Sequence, residues 1–304
     1  MVASPQALAA ATAMNIAAKK NDDKRDKGLP LQVPGVVRYD DISYGPAGKW
    51  NLLDIYLPEE YAPQKSDSQH QEAAPVIVSI HGGGWVYGTK ETYQFYLMSL
   101  AQMGFACINF NYRLPPHSHF PQEMDDVDRV FHWLDHHAGD YNLDLSRLFL
   151  VGDSAGGQMV DQYLTILTNP QFRALFGYEL PKLTVKAAAV NCGASFLTMP
   201  GIISGAIEAY FTKDSLQDRQ DMIATEKYMT ADLPPLFIQT ANDDFIRDCS
   251  VRLDGYLSGI GAGHEFHSYG DSKNPQGHVF HCDVRNPVAL QCNKDEIAFF
   301  NRFR

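Results

Sequence analysis

The sequence has little positive charge and few cysteines. Its 25 Lys and Arg residues are outnumbered by 36 Asp and Glu residues, which gives a formal net charge of −11 at pH 7. The sequence contains no stripe of basic residues that could bind along a phosphate backbone, so it argues against nucleic-acid binding. The five cysteines are odd in number and scattered, and they form no C-x-x-C pair. We therefore expect free, mostly buried thiols in a reducing, cytoplasmic compartment and no disulfide framework.

Long apolar runs are missing as well. Residues 2–18 are rich in alanine but have no basic start and no strongly apolar centre, so we expect no signal peptide there. Residues 187–207 carry no charge, yet they contain asparagine, glycine, serine and proline, which make a poor bilayer span. The sequence therefore predicts a protein that does not span a membrane.

The apolar residues that are present suffice for one large core. The chain has 304 residues, 45% of them hydrophobic, and no linker divides it, so we expect a single domain over 1–304. Helical patterns alternate with strand patterns, which predicts an α/β fold with a mostly parallel, doubly wound sheet. Such a sheet places its ligand at the carboxyl ends of the strands. The predicted strands are 36–44, 51–57, 76–80, 105–111, 148–151, 185–190, 235–240 and 264–269.

The clearest local motif is Gly-Asp-Ser-Ala-Gly at 152–156. It lies between a predicted strand and a predicted helix, which is the context of a nucleophile elbow. Gly152 and Gly156 indicate a turn so tight that a Cβ would collide with a neighbouring strand or helix. The turn would expose the Ser154 hydroxyl at the helix N-terminus, where the Ala155 N–H can face a developing oxyanion.

A second motif, His-Gly-Gly-Gly-Trp at 81–85, follows the predicted strand 76–80 directly. Three consecutive glycines are unfavourable in regular structure, so some feature must require bare backbone there. We interpret the motif as a loop whose Gly83 and Gly84 N–H groups complete an oxyanion hole; the alternative is a flexible turn. We expect His81 to brace this loop rather than to act as the catalytic base.

Together these two motifs resemble those of the hormone-sensitive-lipase-type esterases of the α/β-hydrolase superfamily. The segments 112–115, 120–121 and 141–147 are similar to further family blocks, and the resemblance runs from about residue 52 to 280. The chain departs from the family pattern at Pro116-His117-Ser118-His119, where an acidic residue usually follows the proline, and in its short cap. The resemblance implies an α/β-hydrolase fold with a small helical cap.

The resemblance also implies a Ser-Asp-His triad in that chain order. Asp243 and Asp244 both follow the predicted strand 235–240, and the family pattern aligns Asp244 as the acid, which leaves Asp243 as a loop residue. His278 matches the catalytic histidine and Ser154 the nucleophile. This chemistry needs no metal or organic cofactor. His132 and His136 share one helix face without a fixed third ligand, so we expect no metal site.

The segment 195–232 is rich in apolar residues and is either a lid over the site or a connecting helix pair. We expect this insertion and the N-terminal segment 1–35 to form the cap. That segment is predicted to be a helix followed by a charged stretch at 19–27, which is either a solvated face or a loop. We expect aromatic residues to line the acyl pocket. The residues next to the predicted nucleophile and base are further candidates for substrate binding. The substrate-binding candidates are Trp85, Tyr87, Asp153, Phe211 and Val279.

The sequence thus predicts a serine carboxylesterase that hydrolyses short-chain acyl esters through an acyl-enzyme intermediate. The alternatives are an amide hydrolase similar to arylformamidases and a non-catalytic binding member of the fold. The expected partner is a small-molecule ester, whether a simple acyl ester, an acetylated sugar or a hydroxycinnamate ester. The sequence leaves the oligomeric state open, and a homodimer is one alternative.

Overall fold

A computed structural model describes residues 3–63 and 72–304. Residues 1–2 of the expected cap and residues 64–71 of a polar loop expected at 58–74 lie outside the described residues. Within the described part, eight strands form one sheet. In chain order they are β1 (Val36–Ser43), β2 (Leu52–Pro58), β3 (Ala74–Ile80), β4 (Ala106–Phe110), β5 (Leu143–Asp153), β6 (Val185–Asn191), β7 (Leu236–Ala241) and β8 (His264–Tyr269).

The sheet has the strand order β1-β2-β4-β3-β5-β6-β7-β8. β2 pairs antiparallel with β1 and β4, while every pair from β4 across to β8 is parallel. The predicted mostly parallel sheet is therefore confirmed. Its central strands are continuous apolar runs, and β3 and β7 are buried along their whole length, because helices cover both faces of the sheet.

The helices in the described residues are α1 (Pro5–Asp26), α2 (Lys90–Ala101), α3 (Gln122–His137), α4 (Ala155–Thr168), α5 (Pro170–Phe176), α6 (Lys213–Leu216), α7 (Gln220–Ile223), α8 (Arg247–Ile260) and α9 (Pro287–Phe300). Successive strand residues point to opposite faces and so enter two separate cores. Ile77 and Phe149 pack with α2 and α9, whereas Val78 and Leu150 pack with α3, α4 and α8.

The N-terminal helix is longer than predicted. It continues through most of the charged stretch 19–27, which is therefore a solvated helix face and not a loop after the helix. Its charges pair along the helix: Lys19 Nζ lies 2.7 Å from Asp23 Oδ1, and Arg25 Nη1 lies 3.0 Å from Asp22 Oδ1. Pairs at these spacings support a helix without an apolar stripe. The Ser4 hydroxyl caps the first turn by accepting from the Ala7 N–H at 3.1 Å.

The insertion 195–232 contains only short helical pieces. They are a 3-10 helix at Gly205–Ala209, the four-residue helices α6 and α7, and a 3-10 helix at Thr225–Lys227. The first of these packs against α1, where Ala7, Ala11, Val86 and Ala209 form a small apolar cluster. The predicted free thiols are confirmed, since all five cysteines are unpaired and buried. No helix in the described ranges has the length and apolar content needed to cross a bilayer.

Candidate active site

The candidate site lies where four parallel strands end. The glycine loop follows β3 and Ser154 follows β5, while Asp244 and His278 lie beyond the ends of β7 and β8. Because the carboxyl ends of parallel strands meet at one edge of the sheet, residues far apart in sequence come together there.

Ser154 is held in a backbone conformation that few side chains tolerate. Its φ is +51° and its ψ −118°, and its N–H donates to the Asn191 carbonyl at 3.0 Å. The flanking glycines leave the space that this turn needs. A Cβ on Gly152 would lie 2.4 Å from the Gly156 carbonyl oxygen, and a Cβ on Gly156 would lie 2.0 Å from the Ile80 carbonyl oxygen. The elbow therefore depends on both glycines for steric reasons.

Two short hydrogen bonds join Ser154, His278 and Asp244. His278 Nε2 lies 2.9 Å from Ser154 Oγ, and His278 Nδ1 lies 2.8 Å from Asp244 Oδ1. The adjacent Asp243 is exposed, and its backbone N–H donates to the Gln276 carbonyl at 3.0 Å. Of the two candidate acids, the structure therefore brings Asp244 and not Asp243 to the histidine.

Asp244 is buried, and its carboxylate oxygens accept several hydrogen bonds. Besides His278, the Ile246 N–H donates to its Oδ1 at 3.0 Å and the Thr240 hydroxyl to its Oδ2 at 3.1 Å. Burial by itself would raise the pKa of Asp244, but the hydrogen bond and charge of His278 outweigh it and keep this pKa below its usual 3.8. An ionised Asp244 fixes the Nδ1–H tautomer of His278 and leaves Nε2 free to accept a proton.

The glycine loop presents unoccupied backbone donors. Gly83 has φ +115°, and a Cβ there would lie 2.1 Å from the Tyr87 carbonyl oxygen, so only glycine fits. Gly84 has φ +59° and approaches the Met14 methyl group of α1. Within the described residues, neither the Gly83 nor the Gly84 N–H donates to another protein group. Donors left free in this way can bind an anionic oxygen.

Buried polar groups hold the same loop in place through hydrogen bonds. The Gly82 N–H lies 3.0 Å from both Asp153 Oδ1 and the Tyr93 hydroxyl, and that hydroxyl donates to Asp153 Oδ2 at 2.8 Å. Burial raises the pKa of Asp153 to about 6. His81 stacks on Tyr112 with ring centroids 4.0 Å apart, and burial lowers its pKa to about 4. His81 is thus a neutral, packed residue at the base of the loop.

A family model for the alpha/beta hydrolase fold matches residues 77–281. The chain belongs to the α/β-hydrolase fold family. Among curated proteins, it is 27% identical to Esterase LipQ of Mycobacterium tuberculosis over 212 residues, covering 67% of this chain and 48% of LipQ. It is 30% identical to the probable carboxylic ester hydrolase LipM of the same organism over 214 residues, covering 67% of this chain and 47% of LipM.

The chain thus spans about half the length of these curated relatives. Among solved structures, it superposes on Esterase B of Lactobacillus rhamnosis with a TM-score of 0.86, at 22% identity, covering 98% of this chain and 95% of that one. The predicted fold and the resemblance to hormone-sensitive-lipase-type esterases are confirmed.

The predicted substrate-binding residues of this α/β hydrolase lie around the glycine loop and the histidine. Trp85 is buried, donates from Nε1 to Gln158 Oε1 at 3.1 Å and packs edge-on against Phe211 with centroids 5.1 Å apart. The Tyr87 hydroxyl donates to Asp22 of α1 at 2.8 Å. Val279 follows His278 with φ +51°. Their roles in binding substrate stay predictions, as does that of Asp153, whose two oxygens already accept from Gly82 and Tyr93.

Three residues beside the site were not found from the sequence. Asn15 of α1 donates from Nδ2 to the Val86 carbonyl at 3.0 Å, and the Phe245 ring lies 4.5 Å from the His278 ring. Both contacts depend on the fold, although the position of Phe245 directly after Asp244 was an available signal. The third, Cys192, lies within 4.8 Å of the Asp244 and His278 ligand atoms. Burial raises the pKa of its thiol well above the usual value, so Cys192 packs beside the triad as a neutral thiol.

Proposed function

We propose that this α/β hydrolase is a serine carboxylesterase that hydrolyses short-chain acyl esters through an acyl-enzyme intermediate. The observation that carries the proposal is the pair of hydrogen bonds from Ser154 through His278 to Asp244. The names of LipQ and LipM, an esterase and a probable carboxylic ester hydrolase, support it. A non-catalytic member of the fold would not need all three groups within hydrogen-bonding distance.

In the first half-reaction, Ser154 Oγ attacks the ester carbonyl carbon while His278 Nε2 takes the hydroxyl proton. The carbonyl oxygen becomes an oxyanion, which the N–H groups of Gly83, Gly84 and Ala155 bind. Removing one donor of this kind typically lowers turnover by about 10²–10³-fold. The bond to the alcohol oxygen then breaks, and His278 returns its proton to that oxygen. The acyl group is left on Ser154.

In the second half-reaction, His278 takes a proton from water, and the resulting hydroxide equivalent attacks the acyl carbon. The oxyanion forms again and collapses, the bond to Ser154 Oγ breaks, and His278 returns the proton to the serine. The buried carboxylate of Asp244 stabilises the imidazolium in both half-reactions. The products are a carboxylic acid and the free enzyme.

Packing around the glycine loop supports the proposed preference for short acyl chains. Phe211 packs against both Trp85 and Phe120, with ring centroids 5.1 and 5.2 Å apart. We also propose that the N-terminal segment 1–35 and the insertion 195–232 form the cap. The Asn15 and Tyr87 hydrogen bonds and the apolar cluster between α1 and Gly205–Ala209 support this arrangement. A cap this close to the loop leaves little room for a long acyl chain.

The test is hydrolysis of p-nitrophenyl esters with acyl chains of two to twelve carbons, using S154A as the blank. Activity that peaks at short chains and disappears in S154A supports the proposal. A peak at long chains contradicts the acyl-length preference, and full activity in S154A contradicts the mechanism. Faster hydrolysis of an N-formyl arylamine than of any ester would favour the arylformamidase-like alternative. The cytoplasmic location and the homodimer stay predictions.

A further inference from the structure

The ring of Phe245 is exposed beside the candidate catalytic histidine. Its exposed fraction is 80%, above those of the other exposed large apolar side chains in the described residues, such as Ile16 at 68% and Leu31 at 61%. Phe245 follows Asp244 directly, and its ring centroid lies 4.5 Å from that of His278 at an interplanar angle of 55°. One side of the ring contacts the imidazole, and most of the remaining surface faces solvent.

The strand order shows which part of an ester would reach this ring. β3, which carries the glycine loop, adjoins β5 on one side, while β7 and β8, which precede Asp244 and His278, lie on the other. The ester carbonyl oxygen turns toward the glycine loop, where the free N–H groups are. The alcohol oxygen must approach His278 Nε2, because that atom protonates the leaving group. The alcohol portion of the substrate therefore leaves Ser154 on the side where Phe245 lies.

The aromatic residues on the two sides of the site differ in how far their rings are exposed. Trp85 and Phe211 are each only 2% exposed, and they contact one another. Phe245, in contrast, exposes the part of its ring that does not contact His278, and this part is free for a ligand. Aromatic rings attract one another in offset or edge-to-face arrangements beyond the effect of area burial alone, so a free ring at this position favours an aromatic partner over an aliphatic one.

We propose that Phe245 is a specificity-determining residue that binds an aromatic group in the alcohol portion of the substrate, so that esters of aromatic alcohols are the preferred class. The inference rests on the proposed esterase function and names the substrate of that same site. Because the alcohol departs in the first half-reaction, Phe245 acts on acylation and leaves hydrolysis of the acyl-enzyme unchanged.

The test uses three acetate esters that give the same acetyl-enzyme: benzyl acetate, cyclohexylmethyl acetate and ethyl acetate. Benzyl and cyclohexylmethyl groups have similar size, but only the first is aromatic. The value of kcat/KM for each ester is measured with the wild type, F245A and F245L, and with L180A as a control at an exposed leucine that lies just before the amino end of β6. Thermal unfolding shows whether each variant is folded.

We expect F245A to lower kcat/KM for benzyl acetate by roughly 3- to 10-fold and for ethyl acetate by less than about twofold. F245L should retain more activity on cyclohexylmethyl acetate than on benzyl acetate, and L180A should match the wild type on all three. An equal loss on all three esters would mean that the ring only supports His278, and no loss on any would mean that it does not contact substrate. Either result overturns the inference.

Measuring S154A on the same three esters separates this inference from the proposed function. If S154A retains the wild-type rates, or the wild type hydrolyses none of the three esters, the esterase proposal fails and the inference fails with it. If hydrolysis depends on Ser154 but the ratio of benzyl to cyclohexylmethyl acetate is the same in F245A as in the wild type, only the inference fails.

Discussion

Asp244 Oδ1 lies 2.8 Å from His278 Nδ1, although the residue before it, Asp243, is also an aspartate at the end of the same strand. Asp244 is buried and accepts two further hydrogen bonds, whereas Asp243 is exposed. The chain therefore contains its own matched control for the acid of the triad.

We expect D244N to lower kcat by roughly 10³–10⁴-fold, because an amide at this position would favour the wrong tautomer of His278. D243N should stay within about twofold of the wild type, since its carboxylate does not meet the histidine. Hydrolysis of p-nitrophenyl acetate measures both. A large loss of turnover in D243N, or wild-type turnover in D244N, would show that Asp244 is not the acid of the triad.

The elbow glycines lead to a prediction about stability. G156A places a Cβ 2.0 Å from the Ile80 carbonyl oxygen, which can be relieved only by moving α4 away from β3. We expect a loss of roughly 1–3 kcal/mol in the free energy of unfolding and loss of activity. The control is G255A, in the exposed interior of α8, where nothing in the described residues apart from the adjoining helix backbone lies within 4 Å of the new Cβ.

G255A should raise the free energy of unfolding by roughly 0.5–1 kcal/mol, because alanine loses less backbone entropy than glycine when a helix forms. Urea unfolding measures both variants. If G156A is as stable as the wild type, the steric account of the elbow is wrong.

The contact of α1 with the glycine loop leads to a prediction about catalysis. Asn15 donates to the Val86 carbonyl at 3.0 Å. Thr12, also on α1, is exposed and donates to the Leu8 carbonyl of its own helix. A typical hydrogen bond is worth roughly 1 kcal/mol, so we expect N15A to lower kcat/KM about fivefold through a less ordered loop. T12A should leave it unchanged. Equal kcat/KM values in the two variants would contradict a role for α1 in the site.

A buried carboxyl group behind the elbow leads to a prediction about pH. Glu296 is 0% exposed and accepts from Asn191 Nδ2 at 2.7 Å and from the Tyr96 hydroxyl at 2.9 Å. Burial raises its pKa from 4.5 to about 7. Between these two values the folded state binds more protons than the unfolded state, so the stability contributed by Glu296 is lost as pH rises toward 7.

E296Q cannot ionise and should lack this loss. We expect the free energy of unfolding of the wild type to fall between pH 5 and pH 8 by roughly 2–3 kcal/mol more than that of E296Q. Urea unfolding at the two pH values measures the difference. Parallel pH dependences in the two proteins would show that Glu296 does not titrate in this range.

Much of the fold followed from local patterns in the sequence. Apolar runs located the strands, although β5 begins at Leu143, five residues before its apolar run, because its first residues are less buried and alternate less clearly. The sequence left open whether the charged end of α1 is a helix face or a loop, since its ion pairs replace the apolar stripe that normally marks a helix. Glycine spacing located the elbow because Gly152 and Gly156, which would clash if Gly152 carried a Cβ, are only four residues apart in sequence.

The parts of the site that depend on distant contacts were harder to predict. Asn15 and Val86 are 71 residues apart in sequence, and neither belongs to a motif. Phe245 lies beside His278 only because β7 and β8 are neighbours in the sheet. A single sequence specifies which residues can perform a reaction better than it specifies which side chains surround them.

Covalent labelling shows whether Ser154 is the nucleophile. A fluorophosphonate reacts with an activated serine hydroxyl, and mass spectrometry of peptides locates the adduct. We expect one adduct per chain, on Ser154, with ester hydrolysis lost in proportion to labelling and no adduct in S154A. Labelling of a different residue, or full ester hydrolysis by a completely labelled protein, would contradict this expectation.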